Sequence, residues 1–474
     1  MLYTPLMKLE HDICYQALKT RDARFDGRFF TAVSSTGIFC RPVCPASTPK
    51  LENCIFYPTA SAALNAGFRP CLRCRPESAP ASPAWLGTEA TVRRAVRLIE
   101  EGALDDGQSV ATLCDRLGVG ERHLRRLFQT YLGASPKQIA QTRRLMFAKR
   151  LLKQTDAPVI EIAHASGFNS LRRFNDAYKK SFGFAPSHER KEIEVSPHAC
   201  DSITLRFTYR PPYDWDGVLD FFKMRAIDPV EGVVDGCYHR RIMIDGHVGE
   251  ISVQHEADKN RLCCHIRAIP IAHLQTVSRK IRRMFDVDAD PQAIAHDLKA
   301  DPALGPLIDD YPGLRLPGAW DGFEIAVRAV IGQQISVKGA RTICTRLVAR
   351  VGTGLFPSPQ DILDMNMDGL GLTGRRIATL KSLAQSWSGL DKAKPIEDTL
   401  KELCALPGIG PWTAHYIVMR SFGEPDVYPV DDLGLIRGLE KLGLPATKED
   451  LKARAENWRP WRAYGAMYLW RVYA

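Results

Sequence analysis

Apolar positions change their period from one stretch of the chain to the next. Up to Pro76 they come in short runs punctuated by glycine and proline. The stretch ESAPASPAWLG that follows has the composition of a linker. From about Thr91 to Ile193 the spacing is helical. Leu113, Leu117, Val119, Leu124, Leu127 and Phe128 make one apolar stripe around Gly118, and Ile162, Phe168, Leu171, Phe174 and Tyr178 make another. Phe128, Gly133 and Pro136 recur as Tyr178, Gly183 and Pro186, each 50 residues later, so one two-helix unit is used twice. Between Ser202 and His265 the runs SITLRFTY, RRIMI and RLCCHI have strand character, with hairpin signals at Asp235-Gly236 and Asp245-Gly246, which predicts an antiparallel sheet. Beyond Ala289 nearly everything is helix-periodic, broken by Gly/Pro loops. A single core stops growing near ~250 residues. The 474 residues therefore read as a multidomain α+β chain with domains at 1–78, 85–193, 202–288 and 289–474.

Charge sharpens this picture. The net charge is +10, and between Thr91 and Val195 there are 19 Lys/Arg against 12 Asp/Glu, so most of the surplus sits on the repeated helical unit. Its open faces carry Arg122, His123, Arg125 and Arg126 in the first copy, and Asn169, Ser170, Arg172 and Arg173 in the second. Two helices on a short glycine turn, the second bearing Arg and Asn outward, suit entry into a DNA major groove. A solvated basic face on an ordinary bundle is the alternative. The start MLYTPLMKLEHD lacks the pattern of a signal peptide, and no apolar run reaches membrane-spanning length, so a soluble, cytoplasmic protein is expected.

The chain has 13 cysteines, six of them before residue 75. In a reducing compartment, closely spaced pairs more often bind metal than form disulfides. Cys40 and Cys44 in TGIFCRPVC are followed, 27 residues after the second, by Cys71 and Cys74 in CLRC. Four thiolates at these spacings can surround one tetrahedral Zn2+. The spacing leaves open whether the metal only staples a small domain or also prepares a nucleophile. Cys14 and Cys54 stand alone and read as core or surface thiols.

The strings TGIFCRPVC and FYPTASAALNAGFRPCLRC, followed by IAHASGFNSLRRFNDAYKKSFGFAP, resemble the methyl-acceptor half of the Ada family with its AraC-type double helix-turn-helix, over roughly residues 10 to 190. The resemblance implies that Cys40 is a zinc-bound thiolate accepting a methyl group from a DNA phosphotriester, once and irreversibly, and that the adjoining helices bind promoter DNA. Methylation would take a four-thiolate zinc centre from −2 to −1 and ease its repulsion of DNA phosphates.

Further on, LPGIGPWTA, Leu406 to Ala414, puts Gly408 and Gly410 between apolar helical runs, as a helix-hairpin-helix needs for backbone N–H groups to approach a phosphate. In YPVDDLG, Asp431 and Asp432 stand at a helix start, where an aspartate is most often an N-cap. Hairpin and aspartate together resemble the helix-hairpin-helix base-excision glycosylases. RPPYDW at 210–215, GLRLPG at 313–318, AVRAVIGQQISV around Gln333 and WRPWRAYGAMYLW at the end narrow this to AlkA-like 3-methyladenine DNA glycosylases, over about 204–474.

That resemblance implies an N-terminal α+β subdomain, an all-α glycosylase domain, and catalysis by Asp432. Trp412, Tyr416 and Trp470, with Phe221, would hold a flipped alkylated base, and Gln333 and Gln334 would lie beside it. Each aromatic taken singly could as well be core packing. Bifunctional members carry a lysine where this hairpin has Trp412, so base release without strand cleavage is expected. No cysteine follows Cys404, which removes the iron–sulfur cluster of some relatives. Two positions depart from the family: Gln334 stands where an apolar wedge is usual, and Leu433 replaces an aromatic. The PCHR-type domain of Ada is absent. The implied partners are double-stranded DNA, both alkylated and promoter, and RNA polymerase, for a chain acting as a monomer. The rival expectations are a regulator with an inactive glycosylase-fold clamp, and an active glycosylase with a purely structural zinc domain.

Overall fold

The computed structural model describes residues 10–71, 73–74, 76, 79, 90–105, 108–189, 202–390 and 394–473. The expected linker, apart from Ala79, and the expected borders at 78, 85 and 193 lie outside these residues. The chain divides into two compact units, Met1–Arg210 with Glu256–Arg279, and Pro211–His255 with Lys280–Ala474. No helix among the described residues is long and apolar enough to cross a membrane.

The first unit opens with α1 (His11–Lys19) and strands β1 (Phe30–Val33), β2 (Ile38–Cys40), β3 (Cys54–Tyr57) and β4 (Arg69–Pro70), in sheet order β3-β1-β2-β4. β1 is antiparallel to β2 and β3, and β2 pairs parallel with β4, Phe39 opposite Pro70. The stretch between the two cysteine pairs holds β3, α2 (Ala60–Asn65) and β4. The parallel register brings Cys71 to the end of β2, its N–H donating to Phe39 O at 2.9 Å. Cys14 and Cys54 are both buried, so both lone thiols are core.

After α3 (Ala90–Glu100) come two helix-turn-helix pairs joined by a long helix: α4 (Val110–Leu117), α5 (Glu121–Leu132), α6 (Pro136–Gln154), α7 (Val159–Ala165) and α8 (Leu171–Phe182), then α9 (Pro186–Glu189). The 50-residue repeat proves to be punctuation. Gly133 and Gly183 end α5 and α8 in the left-handed region, at φ 66° and 86°, and Pro136 and Pro186 open the next helix. Ser135 adds a capping box to α6. Both predicted stripes are buried except for Val119 and Leu171, which are half-buried where the turns reach the surface. Thr59 of the metal-binding region donates its hydroxyl to Leu132 O at 3.0 Å, seating α2 at the end of α5. The unit closes with β5 (Ser202–Thr208), laddered antiparallel to the strand Arg261–Arg267 from Ser202↔Arg267 to Thr208↔Arg261.

In the second unit, α10 (Trp215–Arg225) precedes β6 (Glu231–Val234), β7 (Cys237–Ile244) and β8 (His247–Glu256). These strands form an antiparallel meander through two-residue turns. Asp235-Gly236 and Asp245-Gly246 all have positive φ, as type I′ turns demand. Glu231 on β6, Arg240 on β7, and Glu324 and Arg328 on the helix Gly322–Ile331 form a buried four-charge network: Arg328 reaches both carboxylates at 2.6 Å, and Arg240 pairs with both. Paired and hydrogen-bonded in this way, the charges fix how the helix sits on the strands. Arg315, 1% exposed, donates to Pro212 O at 2.8 Å and stacks on Tyr213. RPPYDW and GLRLPG are therefore, in large part, two sides of one joint. A Cβ on Gly313 would meet the Pro212 carbonyl carbon at 2.4 Å. Helices Ile396–Cys404 and Pro411–Phe422 form the predicted hairpin.

Candidate functional sites

In the first unit the Sγ atoms of Cys40, Cys44, Cys71 and Cys74 lie within 4.8 Å of one another, with Cys44 and Cys71 at 3.9 Å. A tetrahedron with ~2.3 Å metal–sulfur bonds has edges of about 3.8 Å, so the cage fits zinc. Hydrogen bonding from the Cys40 thiol pushes Cys44 and Cys71 below the ordinary thiol range; Cys44 in turn pushes Cys40 up, and Cys40 pushes up Cys74. Four sulfurs at this distance need a cation before all can be thiolates. The Arg41 N–H points at Cys74 Sγ (3.3 Å), its guanidinium donates to Cys74 O (3.0 Å), and Asp26 anchors the same guanidinium. Cys40 alone of the four is half-buried; the other three are buried.

On the helix-turn-helix pairs, Arg122, Arg125 and Arg126 of α5 and Arg172 and Arg173 of α8 are exposed, as is Asn169 just before α8. Arg125 pairs loosely with Glu121 at 3.2 Å. Ser170, expected on the open face, is instead the α8 N-cap, accepting from the Arg173 N–H, because a serine before a helix satisfies an orphan donor.

In the second unit Asp432 is 7% exposed and caps the helix Leu433–Lys441, its Oδ1 accepting from Leu435 N at 2.9 Å. Trp412 Nε1 donates to Oδ2 at 2.5 Å and Trp470 Nε1 to Oδ1 at 2.9 Å. The residue is both the cap and the focus of the aromatic group. Asp431 beside it is exposed, at φ 58°, with Lys448 3.4 Å away. Trp412 stacks on Tyr416, with centroids 5.4 Å apart and planes at 13°, and Trp470 stands 6.2 Å from Tyr416 at 59°. Trp412, Tyr416, Trp470 and Phe221 are all half-buried.

Two arginines complete this group, and sequence reasoning missed both. Arg225 lies 4.0 Å and Arg420 4.4 Å from the Phe221 centroid, and Arg420 also approaches Tyr416 and Trp470. Phe221 is thus occupied by guanidinium groups rather than open as a stacking face. Burial pulls Arg420 down to about 10, which still leaves it charged at neutral pH. For Tyr416, burial pushes the phenol up, but Arg420 and Arg225 outweigh it and the net shift is down. The signal was the helical i,i+4 spacing: Arg225 follows Phe221 and Arg420 follows Tyr416 by one turn.

The Gln333 amide nitrogen is engaged within the fold. It braces the hairpin, donating to Gly408 O at 3.0 Å and Thr413 Oγ1 at 2.9 Å. Gln334 is exposed and held at φ 58°, a strained conformation for glutamine. The hairpin glycines differ. Gly408 has φ 81°, and a Cβ there would meet Thr379 Oγ1 at 2.1 Å; Gly410 is an ordinary N-cap at φ −92° with open space around it. Of the two, only Gly408 is required by the backbone itself.

Four family models match the chain in series: the metal binding domain of Ada at 13–77, a helix-turn-helix domain at 113–192, the AlkA N-terminal domain at 204–321, and the HhH-GPD superfamily base excision DNA repair protein at 327–463. A Mycobacterium tuberculosis protein described as a "probable bifunctional transcriptional activator/DNA repair enzyme AlkA" is 38% identical, over 96% of this chain and 95% of its own. DNA-3-methyladenine glycosylase 2 of Escherichia coli is 32% identical over 55% of this chain and 95% of its own. The bifunctional transcriptional activator/DNA repair enzyme Ada of the same organism is 38% identical over 42% of this chain and 52% of its own. Zinc is accordingly the metal of the protein, and the four-sulfur cage is the donor set that fits it. Similar end to end to the first of these relatives, the chain belongs to the family of bifunctional transcriptional activators and DNA repair enzymes that joins an Ada-type metal-binding domain and a helix-turn-helix to an AlkA-type glycosylase.

Proposed function

We propose that the second unit is a monofunctional DNA glycosylase for alkylated bases such as 3-methyladenine, with Asp432 as its catalytic residue. The carrying observation is the Asp432 carboxylate, buried yet held by two indole N–H groups and one backbone N–H. So held, it meets the positive charge that develops on the sugar as the C1′–N bond breaks and the bond electrons leave with the base. A water then adds at C1′ and gives up a proton. An alkylated purine that leaves as a cation's neutral product needs little protonation. The segment from Leu406 to Phe422, the hairpin turn and its second helix, contains no lysine, which supports release without strand cleavage. The decisive variant is Asp432→Asn. Asparagine caps helices as well as aspartate does, so folding should persist while release of 3-methyladenine from duplex DNA falls by at least ~10³-fold. Equal release by the variant would leave only a DNA clamp.

We also infer that Cys40 is a methyl acceptor and that the first unit acts as a promoter-binding activator, with RNA polymerase as its partner and the monomer as its working state. As a residue Cys40 is half-buried where the other three are buried, which supports it as the reactive thiolate. Zinc supplies ionisation of the thiol at neutral pH. The sulfur lone pair forms an S–C bond to the methyl carbon as the C–O bond of a methylphosphotriester breaks, leaving a phosphodiester anion. Incubation with methylphosphotriester DNA and peptide mass mapping should find one added methyl, on Cys40. No methyl on any of the four cysteines would reduce the metal site to a staple.

A further inference from the structure

Within the first unit a cavity of about 390 Å³ is lined by five cations, Arg41, Arg73, Lys153, Arg206 and Arg261, and, among the described residues, by no carboxylate. Its size falls in the ~300–1,000 Å³ range of small-ligand sites. The cations come from three parts of the fold: Arg41 and Arg73 flank metal-site cysteines, Lys153 stands in the last turn of α6, and Arg206 and Arg261 lie on the β5 ladder.

Among the described residues the local charge does not cancel. Asp26 holds Arg41, and Glu256 holds Arg261 at 2.6 Å. Glu189 is shared between Lys153 at 3.1 Å and the fully buried Lys149 at 3.5 Å. Arg73 and Arg206 have no carboxylate partner among the described residues. Positive charge gathered in a cleft without a counter-charge costs free energy, and an anion with several acceptor oxygens relieves it. Gln154 and Thr208 add neutral polar groups to the same wall. Arginines from separate directions suit a phosphate better than a carboxylate, since a phosphate has further acceptor oxygens left for a second cation after one guanidinium fork has paired with two.

We propose that this cavity is a phosphate site, taking either one phosphate of a DNA strand or a free phosphate-bearing ligand. It borders the metal centre through Cys74 but uses neither the Cys40 thiolate nor Asp432, and it depends on neither activity. Cys74 also lines it, and Arg41 both lines it and grips Cys74. A bound phosphate would therefore tie the metal module to α6 and to the strands at the start of the segment matched by the AlkA N-terminal model. None of the three modules has the full set of cations alone.

The test uses the full, zinc-loaded chain and its Arg206→Gln and Arg206→Lys variants. Pyrophosphate and inorganic phosphate are titrated by calorimetry, and a labelled unmodified duplex by anisotropy at several salt concentrations. Wild type should bind at least one probe. Arg206→Gln should weaken that binding about tenfold, with Arg206→Lys in between. Loss confined to the duplex, with the salt slope shallower by about one, identifies a strand phosphate. Loss confined to the small anions identifies a free ligand. Either result supports the site. If Arg206→Gln lowers the melting temperature, Arg73→Gln, on an exposed loop, replaces it. Unchanged affinity for every probe in the folded variant overturns the proposal.

Discussion

At the scale of single residues, the second unit stores a pH dependence in Asp286. Burial pushes its carboxyl from the ordinary 3.8 to about 6, although Arg315, the Leu316 N–H and the Tyr464 hydroxyl oppose the shift. The folded chain thus binds this proton more tightly than the unfolded chain. The contribution to stability is complete below about pH 4 and is lost as pH rises through 6, on the order of 3 kcal/mol in all. Urea unfolding at a series of pH values should find this fall flattened in Asp286→Asn, and an unaltered slope would mean that the carboxyl is not the titrating group. The same scale separates what the sequence made legible from what it hid. Asp432, Trp412, Tyr416 and Trp470 could be named because each sits in a string with a family likeness. Arg225 and Arg420 could not, because a lone arginine in an apolar helix gains meaning only when the ring one turn earlier is known to face a cleft.

At the scale of elements, turn chemistry was the most readable feature. Asp-Gly at both hairpins, and Gly133 and Gly183 at both helix ends, do in the structure what backbone sterics require of them. In the hairpin at 406–414 the backbone demand falls on one glycine. Gly408→Ala should cost roughly 1–3 kcal/mol, because the residue needs a left-handed backbone and collides with Thr379. Gly410→Ala should stay within about 1 kcal/mol in thermal melts and should show any effect in DNA affinity. Equal destabilisation by both would contradict the geometry. The role of Gln333 as a brace was hidden for a physical reason. Its partners are 75 and 80 residues away, and no periodicity carries information over that distance.

At the scale of the whole molecule, two compact units divide the chemistry cleanly. All four metal-site cysteines lie in the first, and Asp432 with its aromatic and guanidinium neighbours lies in the second. The short strands β1 to β4 are too few to enclose a large core, so zinc should carry much of that module's stability. Stripping the full chain with a chelator should lower its first calorimetric transition and abolish methyl uptake, while base release continues; loss of release on chelation would contradict this division. The boundaries were partly legible from changes in period, but the cationic cavity was not, since its members are spread over more than 200 positions of sequence. The two indoles that end on one carboxylate have an optical corollary. Indole emission responds to the hydrogen bond its N–H makes, and here two of the eight tryptophans share a single acceptor at the cleft. Any base that enters and disturbs that acceptor will alter their light together, so the protein carries an intrinsic fluorescent gauge of its own occupancy, readable without a label.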